Sequence, residues 1–219
     1  WVVADGMGGH AAGEVASQEA IDTIFGMVKR GKRTLELDSE LSEEKARAAR
    51  RMLEGAVQAA TYMVFAIAEL DPVKAGMGTT ISAMMRVDRY GVLGQVGDSR
   101  IYRVRSTEVT QLTEDHTMVA WQLKQGLITA EEAKRSKQRN VITRAVGNRD
   151  YVQVDTAIVE LELGDLYLLC SDGLHGYLMT EEIPELAATG GRDAVLRFIE
   201  IANARGGKDN MPAILVEVC

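Results

Sequence analysis

The chain has 219 residues and a net charge of −7, with 46% hydrophobic and 26% charged residues. It carries enough apolar material for one sizeable core and lacks the dominant basic surface that nucleic acid requires. Two cysteines are too few for a secreted disulfide framework, and no apolar stretch reaches the roughly 20 residues of a membrane span. The expectation is therefore a single cytoplasmic domain over residues 1–219, a monomer with neither nucleic acid nor membrane as partner. Because the chain opens at Trp1 inside an apolar run, a further segment is expected upstream of it.

From Gly13 to Arg30 apolar residues recur at helical period, at Val15, Ala16, Ile21, Ile24, Phe25 and Val28. Residues 32 to 40 are polar and read as a loop. Ser42-Glu43-Glu44 then opens a second helix with a serine cap and acids in its first turn, and Asp71-Pro72 stops it. Thr79 to Arg86, Val92 to Val96, Ile101 to Val104 and Val109 to Leu112 are short β-type runs separated by turn-like residues, as in an antiparallel meander. Helical pattern returns from His116 to Gln138, divided at Gly126. Two strands follow, Val152 to Leu161 and Asp165 to Leu169, then helices over Glu181 to Ala188 and Arg192 to Ala204, and a final strand from Ala213 to Val218. Helices, then strands, then helices and a closing strand make an α+β arrangement and not an alternating β-α-β one. Lys29 to Arg33 and Lys134 to Arg139 are basic runs set among acids; both read as solvated faces, with recognition of an acidic substrate as the lesser reading.

Four aspartates stand beside apolar strands. Val2-Val3-Ala4 runs into Asp5, Val92 to Val96 leads to Asp98, Leu166 to Cys170 leads to Asp172, and Asp209 precedes Ala213 to Val218. Converging carboxylates repel one another and are costly to desolvate unless cations neutralise them, and an all-oxygen donor set suits Mg²⁺ or Mn²⁺. Other chemistries fit less well. Asp5-Gly6-Met7-Gly8-Gly9-His10 places Ala11 where a dinucleotide fingerprint needs its last glycine, and Gly31-Lys32-Arg33 lacks the Ser or Thr of a phosphate loop. Cys170 is flanked by Leu168 and Leu169 and has no arginine placed to hold a phosphate, so it reads as a small core hydrophobe. His10, His116, His175 and the cysteines show no zinc-ligand spacing.

In their order, these phrases resemble the bacterial type of the metal-dependent, type 2C family of serine/threonine protein phosphatases. The resemblance is carried by residues 3–10 with 13–17, by Gly78-Thr79-Thr80, and by Val96-Gly97-Asp98-Ser99-Arg100-Ile101-Tyr102. It continues through Leu112-Thr113-Glu114-Asp115-His116, residues 142–147, Leu169-Cys170-Ser171-Asp172-Gly173-Leu174 and Asp209-Asn210. It implies a sandwich of two antiparallel β-sheets flanked by α-helices, with metals at one end. Asp5 would bridge two Mg²⁺ or Mn²⁺ ions, with the Gly6 carbonyl as a further ligand. Asp172 and Asp209 would complete the ligands of the first ion, and Asp98 with Asp172 would help hold a third. Residues 116–140 would form a flap beside the site.

The implied reaction is hydrolysis of phosphoserine or phosphothreonine in protein substrates of a serine/threonine kinase system, by attack of a metal-activated water. His10 is the candidate general acid. A non-catalytic phosphoprotein-binding regulator of the same fold is the alternative. The chain departs from the family pattern at His175-Gly176, where a further acid is frequent, and at Pro212, where Thr is usual. The family's phosphate-binding arginine would lie before Trp1.

Overall fold

The structure, a computed structural model, describes residues 1–37 and 42–219. Strands Val2–Val3 (β1) and Gly6–Met7 (β2) precede two long helices, His10–Leu37 (α1) and Ser42–Leu70 (α2). A 3-10 turn at Pro72–Lys74 leads into Gly78–Thr79 (β3), Ile81–Val87 (β4), Tyr90–Val96 (β5), Arg100–Arg105 (β6) and Glu108–Gln111 (β7). Two short helices follow, Met118–Lys124 (α3) and Ala130–Arg135 (α4). The chain then forms Asp155–Glu160 (β8) and Leu166–Cys170 (β9). After Asp172–His175 (α5), Ile183–Ala187 (α6) and Gly191–Ala204 (α7), it ends in Ala213–Glu217 (β10).

The strands assemble into two four-stranded antiparallel sheets, in the orders β1-β4-β5-β8 and β10-β9-β6-β7, with β2 and β3 paired beside them. Their period-two alternation sorts side chains into layers. On β4 and β5, Ile81, Ala83, Val92 and Val96 face the helices α1 and α2, whereas Met84 and Leu93 face the opposite sheet. On β6 and β9, Ile101, Tyr167 and Leu169 meet that inter-sheet layer, while Tyr102, Val104, Leu168 and Cys170 turn outward to α6 and α7. The result is the expected sandwich of two sheets between two helical layers.

Helices α1 and α2 pack through small residues. Ala12, Ala16, Ala20 and Ile24 recur every fourth position on α1, opposite Ala46, Ala49, Leu53, Ala56, Ala60 and Val64 of α2. One expectation fails here: the polar run after Gly31 continues α1 as far as Leu37, and residues 38–41 lie outside the described ones. Packing overrides composition at this point. A Cβ on Gly31 would stand 2.3 Å from the Met52 sulfur, so the glycine lets α1 lie against α2, and Leu35 extends the apolar stripe by a further turn. Asp71 closes α2 as expected, its carboxylate accepting from the Val73 amide at 3.1 Å.

Candidate active site

Asp5 sits between β1 and β2 and is fixed by its backbone. Its amide donates to Thr80 Oγ1 at 3.0 Å, and its carbonyl accepts from the Thr80 amide at 2.9 Å and from Thr79 Oγ1 at 3.0 Å. The next residue must be glycine: a Cβ on Gly6 would fall 2.0 Å from the Gly13 carbonyl oxygen in the first turn of α1. The Asp5-Gly6 corner and the start of the helix are thus pressed into one rigid block.

Asp98 lies in the turn between β5 and β6, and that turn is held from four sides. Gly97 has φ +100°, and a Cβ there would meet the Thr80 side chain at 2.6 Å. Gln95, buried at 3% exposure within an apolar strand, donates to the carbonyls of Gly97 (3.1 Å) and Ser99 (2.6 Å) and accepts from Ser82 Oγ at 2.6 Å. Ser99 Oγ bonds Thr80 Oγ1 at 2.7 Å, which ties the Asp98 turn to the strand that holds Asp5. His116 closes the fourth side. Its amide donates to the Gly97 carbonyl (2.9 Å), and its Nδ1 accepts from the Gly97 amide (3.1 Å).

With Nδ1 an acceptor, the ring proton of neutral His116 belongs on Nε2, 3.0 Å from Asp155 Oδ2. Asp155 in turn pairs with Arg144 at 2.7 Å. Burial keeps the imidazole pKa below its ordinary value despite the Asp155 carboxylate, so His116 acts as a neutral brace.

Asp172 opens the single turn of α5 directly after β9, and Asp209 lies in the loop before β10. Gly173 brings the two together, because a Cβ on it would stand 2.2 Å from the Asn210 carbonyl oxygen. His175, on the same turn, donates from Nε2 to the Asp98 carbonyl at 2.9 Å and so links α5 to the Asp98 turn. Burial pushes the His175 imidazole down to about 4.

The four aspartates therefore converge from four separate segments. Asp98, Asp172 and Asp209 line one cleft of ≈ 600 Å³ with Asp115. Asp5 approaches Asp172 within hydrogen-bonding reach and feels Asp209 and Asp98 electrostatically. Burial, reinforced by the Asp172 carboxylate, raises Asp5 to about 7; burial and then Asp172 and Asp115 raise Asp98 to about 7.

Arg100 does little to relieve this charge, since Asp115 already engages it through Nε (2.8 Å) and Nη2 (2.6 Å) while Nη1 bonds the Tyr102 hydroxyl. Among the described residues, no group of three or more His, Cys, Asp or Glu side chains is gathered closely enough to hold one metal ion by itself. The donors are instead a loose all-oxygen group of the kind Mg²⁺ and Mn²⁺ accept, which completes their shells with water and substrate oxygens. The donor set and its uncompensated charge fit divalent cations.

The segment 116–140, expected as a flap, places α3 and α4 beside this cleft. Its neck is an antiparallel bridge between Thr117 and Ile142, closed by Met118 N–H to the Val141 carbonyl (2.9 Å) and Thr143 N–H to the His116 carbonyl (2.8 Å). Both flap helices are capped by threonine: Thr117 accepts from the Ala120 amide, and Thr129 forms a reciprocal capping box with Glu132. His10 begins α1, but its side chain lies outside the described residues. Cys170 is buried at the base of β9 with its thiol pushed up to about 12 by burial, in keeping with a core role. The sequence reading assigned no role to Thr80, Ser82, Gln95, Arg144 or Asp155. Thr80 and Arg144 fall within phrases that carry the resemblance, and Gln95 stands out as a polar residue inside an apolar run three positions before Asp98, but none of these signals points to a bracing role.

A two-sheet sandwich with a carboxylate-lined cleft at one end defines a class of protein built to gather divalent cations. The particular family follows from comparison with known sequences: the profile described as Protein phosphatase 2C matches residues 1–216, and the chain belongs to that family. It is 35% identical over 218 residues to the serine/threonine phosphatase stp of Listeria innocua, covering 99% of this chain and 83% of that protein. It is 37% identical over 222 residues to the serine/threonine protein phosphatase PstP of Mycobacterium tuberculosis, covering 99% of this chain and 40% of that one. Among solved structures, the catalytic domain of PstP in complex with two manganese ions superposes with a TM-score of 0.81 at 35% identity, covering 99% of this chain and 86% of that chain.

Proposed function

We propose that this chain is a metal-dependent phosphoprotein phosphatase that hydrolyses phosphoserine and phosphothreonine. The observation that carries this reading is the convergence of Asp5, Asp98, Asp172 and Asp209 with too little cationic compensation from the protein, in a chain of the protein phosphatase 2C family. Two Mn²⁺ or Mg²⁺ ions, or a third beside them, belong there. Asp5, with the Gly6 carbonyl, would be shared between the first two ions, Asp172 and Asp209 would complete the ligands of the first, and Asp98 with Asp172 would help hold a third. Bound divalent cations would supply Lewis acidity and make hydroxide available near neutral pH.

The chain's own part is positional. The Thr79-Thr80 clamp, the Gln95 and His116 braces and the Gly173 contact set where the carboxylates point before any ligand arrives. In the reaction, water oxygen bonds to phosphorus as the bond to the serine or threonine oxygen breaks in line, giving inorganic phosphate and the free hydroxyl. The departing alkoxide takes a proton, and His10, in the glycine-rich segment after Asp5, is proposed as its donor. Substrates are phosphoproteins made by serine/threonine kinases, and the protein acts as a cytoplasmic monomer. Among the described residues no helix is long and apolar enough to cross a membrane. The alternative of a non-catalytic regulator gains no support from a site that keeps all four carboxylates.

The test is turnover of an aryl phosphate and a phosphothreonine peptide with Mn²⁺, with Mg²⁺ and with chelator. Turnover of both substrates that needs a divalent cation is expected; turnover that survives chelation contradicts the mechanism.

A further inference from the structure

The chain is acidic overall, yet the flap, residues 116–140, carries five Lys or Arg and only two Glu. Two of its cations are already paired: Lys124 with Glu114 at 2.7 Å and Arg135 with Glu131 at 3.3 Å. Lys134, Lys137 and Arg139 have no carboxylate within ion-pair distance among the described residues. Of these three, Lys134 and Arg139 line the same cleft whose floor is built from Asp98, Asp172 and Asp209. The cleft is therefore polarised, with carboxylates on the sandwich side and unpaired cations on the flap side.

This polarity has a consequence for the substrate. A phosphoryl group drawn to the cation-loaded floor leaves the peptide on either side of it passing under the flap. Long cationic side chains without partners attract carboxylates there and repel lysine and arginine. Ordinary solvated lysines are scattered among acids, whereas these two face a cavity that a substrate must enter.

We propose that Lys134 and Arg139 form a specificity wall that selects phosphopeptides with acidic residues flanking the phosphorylated position. The proposal rests on the phosphatase reading above and deepens it. Because both side chains are exposed, their contribution is screened by salt and falls mainly on KM.

The experiment measures kcat and KM of the Mn²⁺-loaded protein for phosphothreonine peptides that differ only in carrying Glu, Gln or Lys on one or the other side of the phosphothreonine. The Glu-flanked peptides are expected to have kcat/KM roughly three- to tenfold above the Gln-flanked ones, the worth of two exposed ion pairs, with the Lys-flanked ones lowest. The preference should shrink as ionic strength rises. In the double variant Lys134→Gln, Arg139→Gln the ratio of Glu-flanked to Gln-flanked rates should approach one. Three results would overturn the proposal: no flank preference in the wild-type protein, a preference the double variant leaves intact, or an equal loss for all three peptides in that variant. None of these resembles failure of the underlying reading, which would appear as absent Mn²⁺-dependent turnover of aryl phosphate by the wild-type protein.

Discussion

Gly97 illustrates how much of the site depends on backbone rather than on the carboxylates themselves. Its φ of +100° and the Thr80 side chain 2.6 Å from a would-be Cβ leave room for hydrogen only, and the turn it makes delivers Asp98 to the cleft. Gly97→Ala is therefore expected to lower stability by about 1–3 kcal/mol and to weaken Mn²⁺ binding, measured by denaturant unfolding and by titration with the metal. Unchanged values for both would show that the turn is slack. The four aspartates were legible in the sequence because each stands beside an apolar strand and glycines accompany three of them. Gln95 was not, although it spans the turn. Its meaning depends on Ser82, its direct partner across β4 and β5, and only strand register reveals that pairing. The role of Thr80 was hidden for a similar reason: it stands in a phrase that carries the resemblance, yet its contacts with Asp5 and Ser99 are visible only in the fold.

Among the elements, the flap is joined to the sandwich through a narrow neck whose lower edge is His116. This residue bonds the Gly97 amide and carbonyl on one side and Asp155 on the other, so the base of the flap and the Asp98 turn share a support. His116→Ala strands the buried Gly97 amide, which should lower stability by about 1–3 kcal/mol. It should also loosen the neck, so that trypsin cuts at the exposed cations of residues 134–139 faster than in wild type. Unaltered stability together with unaltered cleavage would contradict this role.

Helix periods and strand alternation located nearly every element in advance. The continuation of α1 to Leu37 escaped because helix propensity in a polar run is a weak signal, and the Gly31 contact with Met52 is a tertiary one. The brace formed by His116, Asp155 and Arg144 joins three distant stretches, and nothing in local pattern announces it.

At the scale of the whole molecule, the fold can be viewed as a stable frame that holds an unstable charge distribution. Apolar layers on both faces of each sheet fix the strand ends, and the strand ends force the carboxylates together at an electrostatic cost. Asp5 and Asp98 are both raised to about 7, so without cations their protonated forms are favoured in the folded state. The folded state then binds more protons than the unfolded one between the ordinary carboxylate range and about pH 7, and this contribution to stability is lost as pH rises through that window. The buried histidines run the opposite way, but His175 and His116 lie below their ordinary value of 6.5, so their effect is complete above it. Divalent cations compete with the protons and remove the penalty on the charged form, so their stabilising effect grows with pH.

The decisive measurement is the thermal midpoint in excess Mn²⁺ minus that in chelator, followed from about pH 6 to about pH 8. Groups away from the cleft titrate alike in both samples and cancel in the difference. Convergent, uncompensated carboxylates predict a positive difference that widens as pH rises. A difference of zero, or one that does not change with pH, would contradict the claim that these aspartates are gathered to hold metal.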